Sequence, residues 1–224
     1  MSSLLSVFHS MFTGLAAMRK ISPFIGKLDQ KIMSDKITII DNPLLEEAIN
    51  KQPFDDEGVA CFKKNVVEKG VFKTFLHNLK TAKLFNTTST GNGFSGPRGS
   101  STSGCNFYIE KGNKSKEELI SSLEKGLLIT GLDGLHAGVN PISGDFSVKA
   151  DGFLIENGKI TKPVRGCTLV GSGSEVLMNI DMIANNLDTG HGMCGSQSGS
   201  IPTDVGQPTI RVSEITVGGR GGKI

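Results

Sequence analysis

Histidine and cysteine are the residue types in this sequence that could bind a zinc ion. A zinc peptidase of the HExxH type needs two histidines one helical turn apart, because this spacing directs both imidazoles to one metal while the glutamate activates a water molecule. The sequence contains four histidines, and none has a second histidine at helical spacing: His9, His77, His136 and His191. A site of that type is not predicted, and any zinc site would have to be assembled from distant loops.

His191 and Cys194 are the best remaining pair of metal ligands. Imidazole and thiolate both bind zinc well, and a separation of three residues can let two side chains converge. Two ligands do not complete a site, however, and a free cysteine is more often a buried structural residue, here in a glycine turn. Cys194 as a nucleophile, with His191 or His136 as its base, is a weaker alternative that requires a lowered thiol pKa. We therefore expect no metal, with His191 and Cys194 as the alternative ligands.

Two carboxylates and a glycine-serine segment are further candidates. Asp145 and Asp151 could act as an acid or a base, although carboxylates in turns usually make local hydrogen bonds. The segment Gly171-Ser-Gly-Ser174 precedes a predicted helix, and exposed amides at a helix start attract anions. It has neither the lysine of a P-loop nor the GxGxxG spacing, so we interpret Ser172 or Ser174 as a helix N-cap and predict no nucleotide site.

Composition and charge exclude several classes of protein. The 224 residues, 37% of them hydrophobic, are sufficient for a packed core. The net charge of +2 provides no field that would attract nucleic acid, so no nucleic-acid partner is expected. No apolar run approaches the roughly 18 residues of a membrane helix, so no membrane association is expected. The four cysteines form no CxxC pair and no export signal is recognised, which favours a cytoplasmic protein with reduced thiols.

The distribution of glycine predicts many tight turns between strands. The 29 glycines cluster between runs of β-branched residues, and Asn157-Gly158 can supply the positive φ angles of a two-residue hairpin turn. The alternation of apolar residues in 208–217, with a one-residue slip that can mark a bulge, predicts a final strand. No βαβ alternation is visible, so we predict an α+β fold with curved antiparallel β-sheets and a few flanking helices.

Helices are predicted in three places, and one loop is expected to be poorly ordered. Apolar residues recur at helical spacing in 4–31, which indicates one or two amphipathic helices. A second helix fits 115–125, with Ser115 and Glu118 at capping-box spacing and Gly126 as its C-cap, and a third fits 174–183. The loop 87–104 is rich in Thr, Ser and Gly, a composition that favours mobility.

Six segments occur in the order expected for the carboxyl-terminal domain of the TldD/PmbA family, which the sequence resembles over most of its length. They are residues 34–43 (SDKITIIDNP), 53–58 (PFDDEG), 70–79 (GVFKTFLHNL), 138–146 (GVNPISGDF), 152–158 (GFLIENG) and 208–212 (PTIRV). The resemblance implies that 1–224 is this domain, and we expect the family's usual amino-terminal domain to be absent.

The resemblance also implies a subunit type. TldD-type members carry an HExxxH helix and a later cysteine as zinc ligands, whereas TldE/PmbA-type members lack the helix motif. His9 occupies the place of that helix without the glutamate or the second histidine, and Cys194 falls where the ligand cysteine would, in a Cys-Gly-Ser form similar to metal-free members. The chain thus resembles the TldE/PmbA-like subunit of a bacterial, cytosolic TldD/TldE-type metalloprotease that acts on unfolded peptides, with zinc in the TldD-like partner and a role in peptide maturation.

The same resemblance suggests where a peptide would bind. The motif-matched loop 138–146 becomes a candidate wall of the peptide chamber, with Asn140, Gly144 and Asp145 as substrate-binding residues, although a purely local turn is an equal alternative. A peptide could bind by strand addition to a sheet edge. Two other functions remain open: an active zinc metallopeptidase that uses Cys194 with histidines from separate loops, and a non-proteolytic assembly protein. A homo-oligomer is an alternative assembly.

Overall fold

Antiparallel strands carry most of the regular structure in the computed structural model of this protein. The structure describes residues 5, 8–48, 50–96, 99–140, 143–196 and 199–219, and for residues 96, 136, 189–196 and 199–204 it describes the backbone alone. The helices are a 3-10 helix (His9–Phe12), α1 (Gly14–Met18), α2 (Leu79–Leu84), α3 (Lys116–Ser121), α4 (Leu135–Gly138) and α5 (Gly173–Met178). The strands are β1 (Ile39–Asp41), β2 (Lys64–Glu68), β3 (Val71–Phe72), β4 (Gly93–Gly96), β5 (Gly99–Thr102), β6 (Asn106–Ile109), β7 (Lys125–Asp133), β8 (Asp145–Glu156), β9 (Lys159–Ser172), β10 (Ile180–Ile183), β11 (Asp188–Ser196), β12 (Gly199–Gln207), β13 (Ile210–Val212) and β14 (Thr216–Gly218).

Two sheets form the body of the fold. The larger has the strand order β11-β12-β6-β1-β2-β3, and the second has the order β14-β9-β8-β7. The pairs within them are antiparallel except for β12 and β6, which are parallel. Register shifts between Ala150 and Gly152 and between Phe153 and Ile155 interrupt the β8–β9 ladder, and such bulges bend a strand pair. The predicted α+β fold with curved antiparallel sheets is confirmed.

The hydrophobic core joins the two sheets. Phe12, Phe72 and Phe107 enter it from the side of the larger sheet, and Phe146 and Leu169 enter it from β8 and β9. The exposure of β8 alternates as expected for a strand with one buried face, since its first even-numbered residues are buried and the odd-numbered ones exposed. The outward face of β8 and β9 therefore remains accessible.

The predicted hairpin at Asn157-Gly158 is confirmed. Both residues have positive φ, 51° and 73°, and they join β8 directly to β9. A backbone of this shape is costly for most residues but is readily adopted by Asn and Gly. The resulting hairpin provides the floor of the candidate site described below.

The predicted starts of the helices in 115–125 and 174–183 are confirmed to within a residue, the start predicted at residue 4 lies outside the described residues, and all three predicted ends are wrong. In 4–31, the described helices end at Met18 and turns follow. The capping box of Ser115 and Glu118 is present, but α3 ends at Ser121 and Gly126 lies inside β7 instead of capping the helix. The third helix ends at Met178, because the β-branched Ile180 and Ile183 pair with β13.

Two predictions about irregular segments are wrong. The loop 87–104 contains the hairpin β4–β5 and buries Asn92 completely, so tertiary hydrogen bonds order a segment whose composition favours mobility. The final strand predicted in 208–217 is divided into β13 and β14, which pair with β10 and β9 respectively. Among the described residues, no helix is long and apolar enough to cross a membrane.

Candidate functional site

His9 lies at the start of the 3-10 helix and has a structural environment. The backbone N–H of Gly104 donates a hydrogen bond to its Nε2 at 2.8 Å, and its ring meets Phe107 edge-on with the centroids 4.7 Å apart. Burial lowers the pKa of His9, while the charge of Asp41 raises it by a smaller amount. The Nε2 lone pair is occupied by an amide proton, so it is not free to bind a metal.

The remaining histidines do not complete a zinc site in the part that can be described. His77 is buried, its Nδ1 lies 3.1 Å from Thr81 Oγ1, and burial lowers its pKa. Within the described residues, no group of three or more His, Cys, Asp or Glu could hold a metal ion. The donors around His9 therefore do not fit zinc.

His191 and Cys194 lie within β11, where their backbones pair with Asp204 and Ile201 of β12. The glycine turn predicted for them is wrong, because the segment forms a nine-residue strand. Their side chains, like that of His136, lie outside the described part of the chain. Their role as alternative metal ligands stays a prediction.

A buried polar network centred on Asp41 lies close to His9. Asp41 Oδ2 accepts hydrogen bonds from Lys64 Nζ at 2.9 Å and from Asn92 Nδ2 at 2.8 Å, and Asp41 Oδ1 accepts one from the backbone N–H of Cys105. The Asp41 and Lys64 side chains are 0% and 5% exposed. Sequence reasoning did not identify this network, because its members are far apart in the chain.

The three predicted substrate-binding residues lie in one tight turn. The Asn140 N–H donates to the Asp145 carbonyl oxygen at 2.8 Å, and the Gly144 N–H donates to the Asn140 carbonyl oxygen at 2.9 Å. Gly144 has a φ of 80°, a conformation that favours glycine. The turn thus fixes the relative positions of Asn140 and Asp145 at the start of β8.

This turn forms one wall of an open cleft of about 990 Å³. The lining includes Asn140, Asp145, Ser147, Val170, Ser172 and Glu175. Asp145 pairs with Ser172 and Ser147 pairs with Val170, so these four lie side by side on the outward face of β8 and β9. Gly144 shapes the turn but does not line the cleft.

Sequence reasoning missed Ser147, Val170 and Glu175 as lining residues. The outward alternation of β8 would have grouped Ser147 with Asp145, but the pairing of β8 with β9 was needed to place Val170 beside them. Glu175 lies on α5, which brings it to the cleft. The N-cap residue of α5 is Ser172, as predicted, but the Ser172 hydroxyl forms a hydrogen bond with Ser174 Oγ at 2.8 Å and not with a backbone amide. The other predicted acid, Asp151, makes a local hydrogen bond, accepting the Gly166 N–H at 2.7 Å.

Comparison with known proteins identifies the family. Residues 1–219 match the model of the PmbA/TldA metallopeptidase C-terminal domain. The chain belongs to the TldD/PmbA family. A metalloprotease TldD homolog of Haemophilus influenzae is 35% identical over 90% of this chain, and a metalloprotease PmbA homolog of Buchnera aphidicola is 33% identical over 85% of it. The solved structure of TldE from Thermococcus kodakarensis is similar with a TM-score of 0.86 and 28% identity, over 97% of this chain and 48% of that one.

These similarities confirm the predicted resemblance to the TldD/PmbA family. The chain covers 42% of the length of each of the two curated relatives. Relatives named TldD and relatives named PmbA match at similar identity, so overall similarity does not distinguish the two subunit types. The assignment to the TldD or the TldE/PmbA type therefore depends on individual residues, such as His9 and its neighbours.

Proposed function

We propose that this chain is the TldE/PmbA-like subunit of a cytoplasmic TldD/TldE-type metalloprotease that acts on unfolded peptides. In this proposal the chain holds no zinc, and a TldD-like partner subunit supplies the metal that activates water. The observation that carries the proposal is the state of His9, whose Nε2 accepts the amide proton of Gly104.

The surroundings of His9 support a structural role for this segment. Leu5, Phe8, Met11 and Phe12 are all buried in the core, so the segment packs as an apolar anchor around one polar residue. A catalytic helix of the HExxH type needs a glutamate and a second histidine on the same face, and the sequence of 5–18 contains neither. The segment can therefore maintain the fold without holding a metal.

The cleft and an adjacent strand edge support a role in peptide binding. We assign Asn140 and Asp145 to the wall that contacts the peptide, with Gly144 holding the turn in shape. In the described part of the chain, β7 has one paired neighbour, β8, so its other edge can offer backbone groups to an extended peptide or to the partner subunit.

The test is to purify the chain alone and together with a TldD-like subunit, without chelators. We expect the two chains to co-elute, zinc to be found with the TldD-like subunit, and an unfolded peptide to be cut by the complex and not by this chain alone. The zinc content would be measured by elemental analysis and cleavage by mass spectrometry.

The outcomes separate the three functions. Near-stoichiometric zinc in the isolated chain, lost in both His191→Ala and Cys194→Ala, would contradict the proposal and support the active metallopeptidase. A stable complex that cuts no peptide, although its TldD-like subunit contains zinc, would support the non-proteolytic assembly protein.

A further inference from the structure

The ionisable side chains that line the open cleft carry negative charge only, among the residues that the structure describes. Among the described residues that line it, Asp145 and Glu175 are the two with ionisable side chains, and both are acids. Asp145 begins β8 and Glu175 lies in the first turn of α5, so they reach the cleft from different elements. Across the part of the chain that the structure describes, neither carboxylate takes part in an ion pair or a hydrogen bond. Within the described residues, two negative charges thus face the cleft without an ion-pair partner.

The floor between these carboxylates is partly apolar. Val170 is 41% exposed on β9, and Ala137 and Val139 contribute to the wall. The Ser147 and Ser172 hydroxyls add hydrogen-bonding groups on the same face. The side chains of lysine and arginine match such a surface, because they combine an apolar stem with a charged end.

We propose that this cleft binds the basic part of an unfolded peptide, with a lysine or arginine side chain placed between Asp145 and Glu175. The inference rests on the proposed function, since it specifies which peptides the subunit would bind. The cleft volume of about 990 Å³ is sufficient for several peptide residues. Because the site is open to solvent, the charge preference is modest and sensitive to salt.

The test measures peptide binding to the isolated chain by fluorescence anisotropy. Three labelled, unfolded peptides of equal length would carry lysine, glutamine or glutamate at the same two positions, with blocked termini. We expect the lysine peptide to bind about tenfold more tightly than the glutamine peptide, which corresponds to two exposed charge pairs, and the glutamate peptide to bind most weakly. The difference should shrink in 0.5 M salt, on the order of the screening expected for exposed charges.

Isosteric variants assign the effect to the cleft. Asp145→Asn and Glu175→Gln should each reduce the preference for the lysine peptide by about two- to fivefold, the range for an exposed charge pair. Neither side chain has a partner to lose within the described structure, so the fold should be retained. Glu117→Gln is the matched control, because Glu117 is an exposed acid that lies away from the cleft. It is on α3, which packs against the Asn157-Gly158 turn of the β8–β9 hairpin, whereas Asp145 lies at the opposite end of that hairpin.

The failures of the two proposals can be told apart. Equal binding of the lysine and glutamine peptides, no binding of any peptide, or a control variant that loses as much preference as the cleft variants would overturn the inference. Because binding is measured without a partner and without zinc, these results do not depend on complex formation. A charge preference that is lost in the cleft variants would support the inference even if no TldD-like subunit pairs with the chain, whereas the proposed function would then fail.

Discussion

At the scale of single residues, the ion pair between Asp41 and Lys64 shows how a buried charge is compensated in this chain. Both side chains are almost fully buried, and Asn92 and the Cys105 amide complete the hydrogen bonds of the carboxylate. The Lys64 ammonium also lies 4.7 Å from the centre of the Phe62 ring. Removing one partner of such a pair leaves an uncompensated buried charge, which is more costly than the pair itself is stabilising.

Lys64→Met should therefore lower the free energy of unfolding by about 3–5 kcal/mol. The matched control is Lys73→Met, since Lys73 pairs with Asp29 at the same 2.9 Å distance but with side chains that are 37% and 69% exposed. That variant should change stability by no more than about 1 kcal/mol. Urea denaturation of both variants provides the comparison, and equal losses would contradict this assignment.

His9 should make stability depend on pH. Its pKa in the folded protein is lowered from 6.5, mainly by burial, so the unfolded chain binds a proton more readily than the folded chain. The stability contributed by neutral His9 is fully present above pH 6.5 and is lost as the pH falls from there towards the lower folded pKa. The slope from this residue can reach about 1.4 kcal/mol per pH unit.

The measurement is the urea unfolding free energy at pH 7.5 and pH 5.5 for the natural chain and for His9→Gln, whose amide oxygen can still accept the Gly104 N–H. We expect the natural chain to lose more stability than the variant at the lower pH. Burial also lowers the pKa of His77, so His77→Gln should reduce the pH slope independently. An identical slope in the natural chain and the His9 variant would show that His9 is not desolvated as described.

At the scale of elements, the pairing of β7 with β8 depends on one close approach. A Cβ atom at Gly152 would collide with the carbonyl oxygen of Leu128 on the facing strand. Gly152 adjoins the register shifts in both β7–β8 and β8–β9, where the ladder bends. Glycine is required here by the proximity of the neighbouring backbone and not by a positive φ.

Gly152→Ala should destabilise the protein by about 1–3 kcal/mol or more, because rigid backbone would have to move to admit the methyl group. Gly131→Ala, on the facing strand, is the matched control, since nothing lies within 4 Å of its Cβ position. That change should alter stability by about 0.5 kcal/mol or less. Thermal and urea unfolding of the two variants would test this, and similar stabilities would argue against the β7–β8 register.

At the scale of the whole molecule, one hydrophobic core serves both sheets. Phe107 of the larger sheet and Phe146 of the second sheet belong to the same buried cluster. The cleft is also a product of this arrangement, because it collects lining residues from α4, β8, β9 and α5.

A shared core predicts that the chain unfolds in one cooperative step. Tyr108, the single tyrosine in a chain without tryptophan, is buried in β6 and reports on the larger sheet through its fluorescence. Its urea transition should coincide with that of far-UV circular dichroism, which reports on all strands. Two separated transitions would instead mean that 1–224 contains two folding units.

The sequence by itself determined the features that depend on neighbouring residues. Three such features are the Asn157-Gly158 turn, the capping box of Ser115 and Glu118, and the absence of a second histidine near His9. Each depends on a few side chains that are close together in the sequence. The fold class was inferred from the glycine turns and from the segments that resemble the family. The turn of Asn140, Gly144 and Asp145 was found through such a segment, although the sequence could not show that it borders a cleft.

Tertiary structure decided the features that depend on residues far apart in the chain. The composition of 87–104 favours mobility, but Asn92 is ordered by Asp41 and Lys64, which lie 51 and 28 residues away. Likewise, Val170 and Glu175 line the same cleft as Asp145 only because β9 pairs with β8 and α5 directly follows β9 in the chain. Local propensity contributes tenths of a kcal/mol per residue, whereas burying an apolar face contributes several kcal/mol and leaving a buried charge without its partner costs several. Long-range contacts therefore override local preference at these positions.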